Sequence, residues 1–167
     1  MKLWHFLFLL LMTSLQINAQ ELAQVRALYP RAALNKDSSE RFTALFAKID
    51  TSSNPVLICY KGASEMIKAK FLISPFSKMG TFNGGKTLIE LAVKHDPGNP
   101  EIRLVRFGIQ TNLPVFLNYS KDIQDDKNYL INNLNQVADV SLKNSIVNYL
   151  TGSKYCTEEE IKKLKEL

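Results

Sequence analysis

Apolar residues recur at helical spacing along almost the whole chain. From Pro55 to about Ile73 the sequence is apolar on nearly all sides, and its charged residues Lys61, Glu65 and Lys68 fall at i, i+4 and i+7 on one narrow stripe. That pattern predicts a central, mostly buried helix. The next segment, about Gly85 to His95, sets Lys86, Glu90 and Lys94 on one face and Leu88, Ile89, Ala92 and Val93 on the other, as an amphipathic helix does. From Pro100, residues Ile102, Val105 and Ile109 point inward and Arg103, Arg106 and Gln110 outward, until Pro114 stops or kinks the helix. Further helices are expected at about 123–137 and 140–150, and upstream from Glu21 to Leu28 and Ser39 to Ile49, with Tyr29-Pro30 and Asn35 to Ser38 as breaks.

The start signals agree with the periodicity. Asn54-Pro55 and Asn99-Pro100 each place a capping side chain directly before a proline, whose missing N–H costs nothing at the first helical position. Thr157 and Glu160 have capping-box spacing, and the terminal run Glu158 to Lys163 is acidic first and basic later, as the helix dipole prefers. No stretch shows sustained period-two alternation between hairpin turns. The expected fold is all-α: a single-domain helical bundle or short αα-superhelix of about seven helices, over residues 20–167.

Residues 1–19 read as a secretory signal, with Lys2 as the charged start, Leu3 to Met12 as the apolar run and a cut expected between Ala19 and Gln20. The run is too short to span a bilayer, and no later stretch is longer, so the mature chain is expected to be extracytoplasmic, periplasmic or secreted, with no transmembrane span. Loss of the signal removes Trp4 and His5, leaving His95 and the cysteines Cys59 and Cys156. A tetrahedral zinc site needs more ligands than these supply, and no other cofactor is implied. The formal charge of +5 suits weak attraction to anionic surfaces and falls short of a nucleic-acid signature. Cys59 and Cys156 share an oxidising compartment after export, so a disulfide between them is weighed against two packed thiols.

One sharp motif stands in the chain. Gly80-Thr81-Phe82-Asn83-Gly84-Gly85-Lys86-Thr87 fits G-x-x-x-x-G-K-[ST], the loop whose N–H groups cradle phosphate. The mechanism needs a buried strand before the loop, and Pro75, Ser77 and Lys78 interrupt any strand there. The residues therefore read as a glycine turn between two helices. Gly84, Gly85, Lys86 and Thr87 then form an anion site at a helix N-terminus, which Lys94, Arg103 and Arg106 would reinforce. His95 reads as a helix-end cation, Asp122, Asp125 and Asp126 as capping and first-turn acids, and Tyr60, Phe71, Phe107 and Phe116 as core. No Ser-His-acid triad can be assembled from one histidine, and the remaining carboxylates read as solvated.

Leu88 to Pro100, with Ala92 five positions before Pro97 and Gly85 at a third small position, resembles the second helix and exit turn of a tetratricopeptide repeat. The resemblance covers one degenerate repeat and implies a helix pair with a binding groove. The whole chain, with its signal ending in Ala-Gln, also resembles small exported proteins of Bacteroidota, a likeness that implies no activity. These readings point to an exported, non-catalytic helical module that binds a protein, peptide or envelope component. The alternatives are a small anion or ligand carrier using the Gly80–Thr87 loop, and an enzyme built on ordinary carboxylates and tyrosines.

Overall fold

The computed structural model describes residues 21–166; the expected signal segment and its cut before Gln20 lie outside the described residues. The fold is all-α, as expected, with eight helices, two short 3-10 turns and no strand among the described residues. The helices are α1 (residues 21–32), α2 (Lys36–Ala44), α3 (Pro55–Phe71), α4 (Pro75–His95), α5 (Pro100–Asn112), α6 (Ile123–Asn133), α7 (Val140–Thr151) and α8 (Glu158–Lys165). None is long and apolar enough to cross a membrane.

Capping chemistry sets most of the boundaries. The Asn54 side chain accepts from the Val56 N–H at 2.9 Å, and Asn99 accepts from Glu101 and Ile102 at 3.0 and 3.3 Å, so both Asn-Pro pairs open helices. Thr157 and Glu160 form the reciprocal capping box. Several expected boundaries are corrected: α2 ends at Ala44 rather than Ile49, α3 at Phe71 rather than about Ile73, and the stretch expected to run to residue 137 is α6 to Asn133 followed by a 3-10 turn over Leu134–Gln136. Asn35 is a cap rather than part of a break, accepting from the Ser38 N–H at 2.8 Å and starting α2 early. The helix expected to end at Leu28 continues through Tyr29-Pro30 to residue 32.

The largest correction is at α4. Ser74-Pro75 is a third start signal of the same kind, with the Ser74 hydroxyl 3.4 Å from the Ser77 N–H, and the helix runs unbroken from Pro75 through all three glycines to His95.

The chain divides into two compact units, one of residues 21–50 with 60–86 and one of 51–59 with 87–166. The first is built on aromatics: Tyr29, Phe42, Phe46 and Tyr60 meet with centroid separations between 5.1 and 6.5 Å, beside buried Val25, Ala63, Met66 and Phe82. Two lysines of α3 tie in carbonyls of this unit, Lys61 at Ile49 and Lys70 at Ala33, the latter just beyond the end of α1. Within it α3 and α4 approach so closely at Gly85 that an added Cβ would stand 2.5 Å from the Gly62 carbonyl oxygen and 2.6 Å from the Met66 side chain.

The second unit packs Phe107, Ile123, Leu130, Leu134, Leu142, Ile146, Leu150 and Leu164 into one core from α5 to α8. Tyr149 joins α7 to α5, its ring edge-on to Phe107 and its hydroxyl 2.8 Å from that of Thr111.

The three α4 glycines therefore carry opposite expectations. A Cβ at Gly80 or Gly84 meets nothing within 4 Å, so Gly80→Ala and Gly84→Ala should each stabilise by about 0.5–1 kcal/mol through helix propensity. Gly85→Ala should destabilise by about 1–3 kcal/mol, because backbone as well as side chain must move aside. Denaturant melts of the three variants decide it; a stabilised Gly85→Ala would refute the close approach.

Candidate functional site

The phosphate-type motif lies wholly inside α4, so the glycine turn and its helix N-terminus are not formed. Gly84 and Thr87 are exposed, Lys86 is half-buried and Gly85 faces Gly62 and Met66. In a helix interior each backbone N–H is already bonded to the carbonyl four residues earlier, which leaves none converging on an anion. The expected anion site at Gly84, Gly85, Lys86 and Thr87 is corrected on this ground. Its basic support is corrected too: Lys94 is exposed, while Arg103 and Arg106 are spent in ion pairs.

Those pairs form a buried polar network in the second unit that draws on α4, α5 and α6. Arg106, expected to point outward, is 3% exposed and grips Asp126 with two parallel hydrogen bonds, from Nε to Oδ2 at 2.7 Å and from Nη2 to Oδ1 at 2.8 Å. Its Nη1 donates to Glu90 Oε2 at 3.0 Å and lies 3.7 Å from Asp122 Oδ2. Arg103 donates from Nη1 to Asp126 at 2.7 Å and from Nε and Nη2 to the Pro97 carbonyl, while its guanidinium lies 5.2 Å from the centre of the Tyr129 ring. Tyr119 donates its hydroxyl to Glu90 Oε1 at 2.7 Å, and Gln110 Nε2 donates to Asp122 at 3.0 Å.

Three carboxylates thus face two guanidiniums, with two neutral donors completing the set. Burial disfavours the charged Arg106, but its hydrogen bonds to Asp126 and the charges of Asp126, Glu90 and Asp122 hold its pKa above the ordinary value. Burial, and then the hydrogen bond to Glu90, push the Tyr119 hydroxyl well above the usual tyrosine range. Every acid here is held by a cation or a neutral donor, so the arrangement positions α4, α5 and α6 of this unit rather than offering a base or nucleophile. Asp126 was read with Asp122 and Asp125 as a capping acid. Only Asp125 is exposed; Asp126 is fully buried, and Asp122 makes no capping bond.

The two cysteines are free thiols. Cys59 is fully buried with Sγ 4.0 Å from the Ile102 carbonyl, and burial, followed by the Glu101 charge, raises its pKa far beyond reach of thiolate chemistry. Cys156 is half-buried against the second core, its pKa raised by burial and by Glu160.

The terminal helix is held without a disulfide. Leu164 is buried, and buried Lys127 donates to the Tyr155 carbonyl at 3.2 Å and to Glu160 Oε2 at 3.0 Å, with Oε1 of the same carboxylate 2.8 Å away. Glu160 also accepts from the Thr157 N–H at 2.8 Å, and its pKa is lowered, first by the Lys127 hydrogen bond and then by that backbone one. His95 ends α4 on the surface, as expected of a helix-end cation. Tyr60 and Phe107 are core and Phe71 is half-buried, but Phe116 is 81% exposed on a 3-10 turn, against expectation.

What the periodicity overlooked is an apolar tip in the first unit. Ile73 is 97% exposed in the connector between α3 and α4, Phe76 is 90% exposed in the first turn of α4, and Met79, one turn on, is 47% exposed. The available signal was the run Phe71 to Met79, in which large apolar residues flank a Ser-Pro helix start, where polar turn residues are the rule. Comparison with known proteins finds no match: no protein-family model, no curated protein and no solved structure matches the chain.

Two outcomes test the site's electrostatics. Asp126→Asn leaves the buried Arg106 and the half-buried Arg103 without their shared carboxylate and should cost about 3–5 kcal/mol in urea unfolding, against about 0.5 kcal/mol or less for Asp125→Asn. Equal costs would show Asp126 to be a surface acid. Glu160, with its folded pKa lowered, adds stability that is complete above the unfolded value of about 4.3 and lost as pH falls through the folded value. Protection of the amides of residues 158–165, taken relative to their intrinsic exchange rates, should therefore fall as the pH drops below about 4.3, and Glu160→Gln should show the lower protection already at pH 6.

Proposed function

We propose that the protein is an exported, non-catalytic helical interaction module that binds a protein, a peptide or another component of the cell envelope, and that it works in the periplasm or outside the cell without contacting nucleic acid. The observation that carries this reading is the tip of Ile73 and Phe76, 97% and 90% exposed, with Met79 47% exposed one turn on. The export half rests on Lys2, the apolar run Leu3 to Met12 and Ala19. The likeness of 88–100 to one tetratricopeptide helix and its exit turn belongs to the same reading. It is supported by Ala92, fully buried, and by Pro97, two residues past the end of α4.

Two measurements test the halves separately. Amino-terminal sequencing of the protein recovered from its source should begin at Gln20; an intact Met1 on cytoplasmic protein would remove the export reading. Photocrosslinking in the same cells through Phe76→p-benzoylphenylalanine should yield a defined adduct with an envelope component, whereas an equivalent probe at the exposed, polar position Asn144 should not. Absence of any adduct at Phe76 would overturn the module.

A further inference from the structure

We propose that the α3–α4 tip is a membrane-surface anchor, inserting Ile73 and Phe76 into the headgroup and acyl boundary of an anionic bilayer. This rests on the module reading and names its partner class. Shape is the first ground. Side chains that line a groove for a peptide or helix keep part of their surface covered, whereas Ile73 and Phe76 are almost as exposed as isolated residues and so project outward. A projecting apolar pair is suited to a soft apolar phase. Met79, one turn beyond Phe76 on α4, broadens the same apolar end.

Charge is the second ground, and it is independent of the first. Between Glu65 and Glu90 the chain has no acidic residue, while Lys68, Lys70, Lys78 and Lys86 lie in that interval. Glu65 is itself 3.6 Å from the Lys68 ammonium. Lys78 is exposed directly before Met79, and Lys70 stands at the end of α3, its ammonium 5.4 Å from the centre of the Phe71 ring and bonded to the Ala33 carbonyl. Lys78 sets an exposed cation directly beside the apolar end, with Lys70 and Lys68 behind it on α3, at the Ala33 carbonyl and at Glu65. On a lipid surface the apolar groups enter, and the long stem of Lys78 lets its ammonium remain at the phosphates.

The test uses the exported chain, which begins at Gln20 on this reading and so lacks the apolar run Leu3 to Met12, with vesicles of phosphatidylcholine alone and of phosphatidylcholine with phosphatidylglycerol. Cosedimentation should show binding to the anionic vesicles that weakens with added salt. Ile73→Ser with Phe76→Ser should weaken it at least about tenfold, and Lys78→Gln about fivefold. Both variants should melt as the wild type does, since the replaced side chains are exposed.

Insertion is read directly with Phe76→Trp, which is the one tryptophan once Trp4 has left with the signal; its emission should shift to the blue and be quenched by brominated lipid. Binding that the double serine variant retains, or no quenching of Phe76→Trp, overturns the anchor. A protein adduct at position 76 without vesicle binding also overturns it, and leaves the interaction module standing. Cytoplasmic protein with Met1 intact would remove the module's export half whatever the vesicles show.

Discussion

The second unit depends on the burial of Asp126. A carboxylate with no exposure to water is tolerable only when cations and donors replace its hydration, and here Arg106 and Arg103 supply three charge-assisted hydrogen bonds between 2.7 and 2.8 Å. Each guanidinium then has further groups to satisfy. Arg106 draws Glu90 from α4, Arg103 draws the Pro97 carbonyl from the turn after it, and Glu90 in turn takes the Tyr119 hydroxyl from the segment before α6. The register of these elements is therefore set by direction-dependent polar bonds, and the apolar core of Phe107, Leu130, Ile146 and their neighbours fills in around it. Such a network adds less to stability than its bond count suggests, because desolvation offsets much of the attraction. Its consequence is specificity, since any other register would strand a buried charge.

The first unit rests on a different constraint, backbone proximity. Gly85 lets α4 lie against Gly62 and Met66 of α3 at a distance no side chain would allow, and the aromatic group of Tyr29, Phe42, Phe46 and Tyr60 closes the rest. Gly80 and Gly84 make no such contact and only weaken the helix. The tight helix pair ends in a short Ser-Pro connection that leaves Ile73 and Phe76 exposed at its tip.

The lesson for function is one of exclusion followed by location. The residues that looked chemical, the Gly80–Thr87 motif and the acidic run from Asp122 to Asp126, are absorbed into a helix interior and an ion-pair network. The residues that looked inert, the apolar ones around Pro75, are those presented to solvent. The proposed role as an interaction module, and its refinement to a lipid-surface anchor, are argued from that exchange.

Local physics was legible in the amino acids alone. The all-α class, the helices opening at Asn54, Asn99 and Thr157 and the stop at Leu113-Pro114 follow from capping, proline geometry and a period near 3.6, all of which act within a few residues. Tertiary structure decided the rest. Periodicity sets Arg106 and Gln110 on the polar face of α5, but whether that face meets water or the carboxylates of other helices depends on residues distant in sequence. Glycine-rich composition argues for a turn at 80–85, and the contact of Gly85 with α3 reverses that local preference, because packing contributes more than the roughly 1 kcal/mol of propensity at stake per glycine.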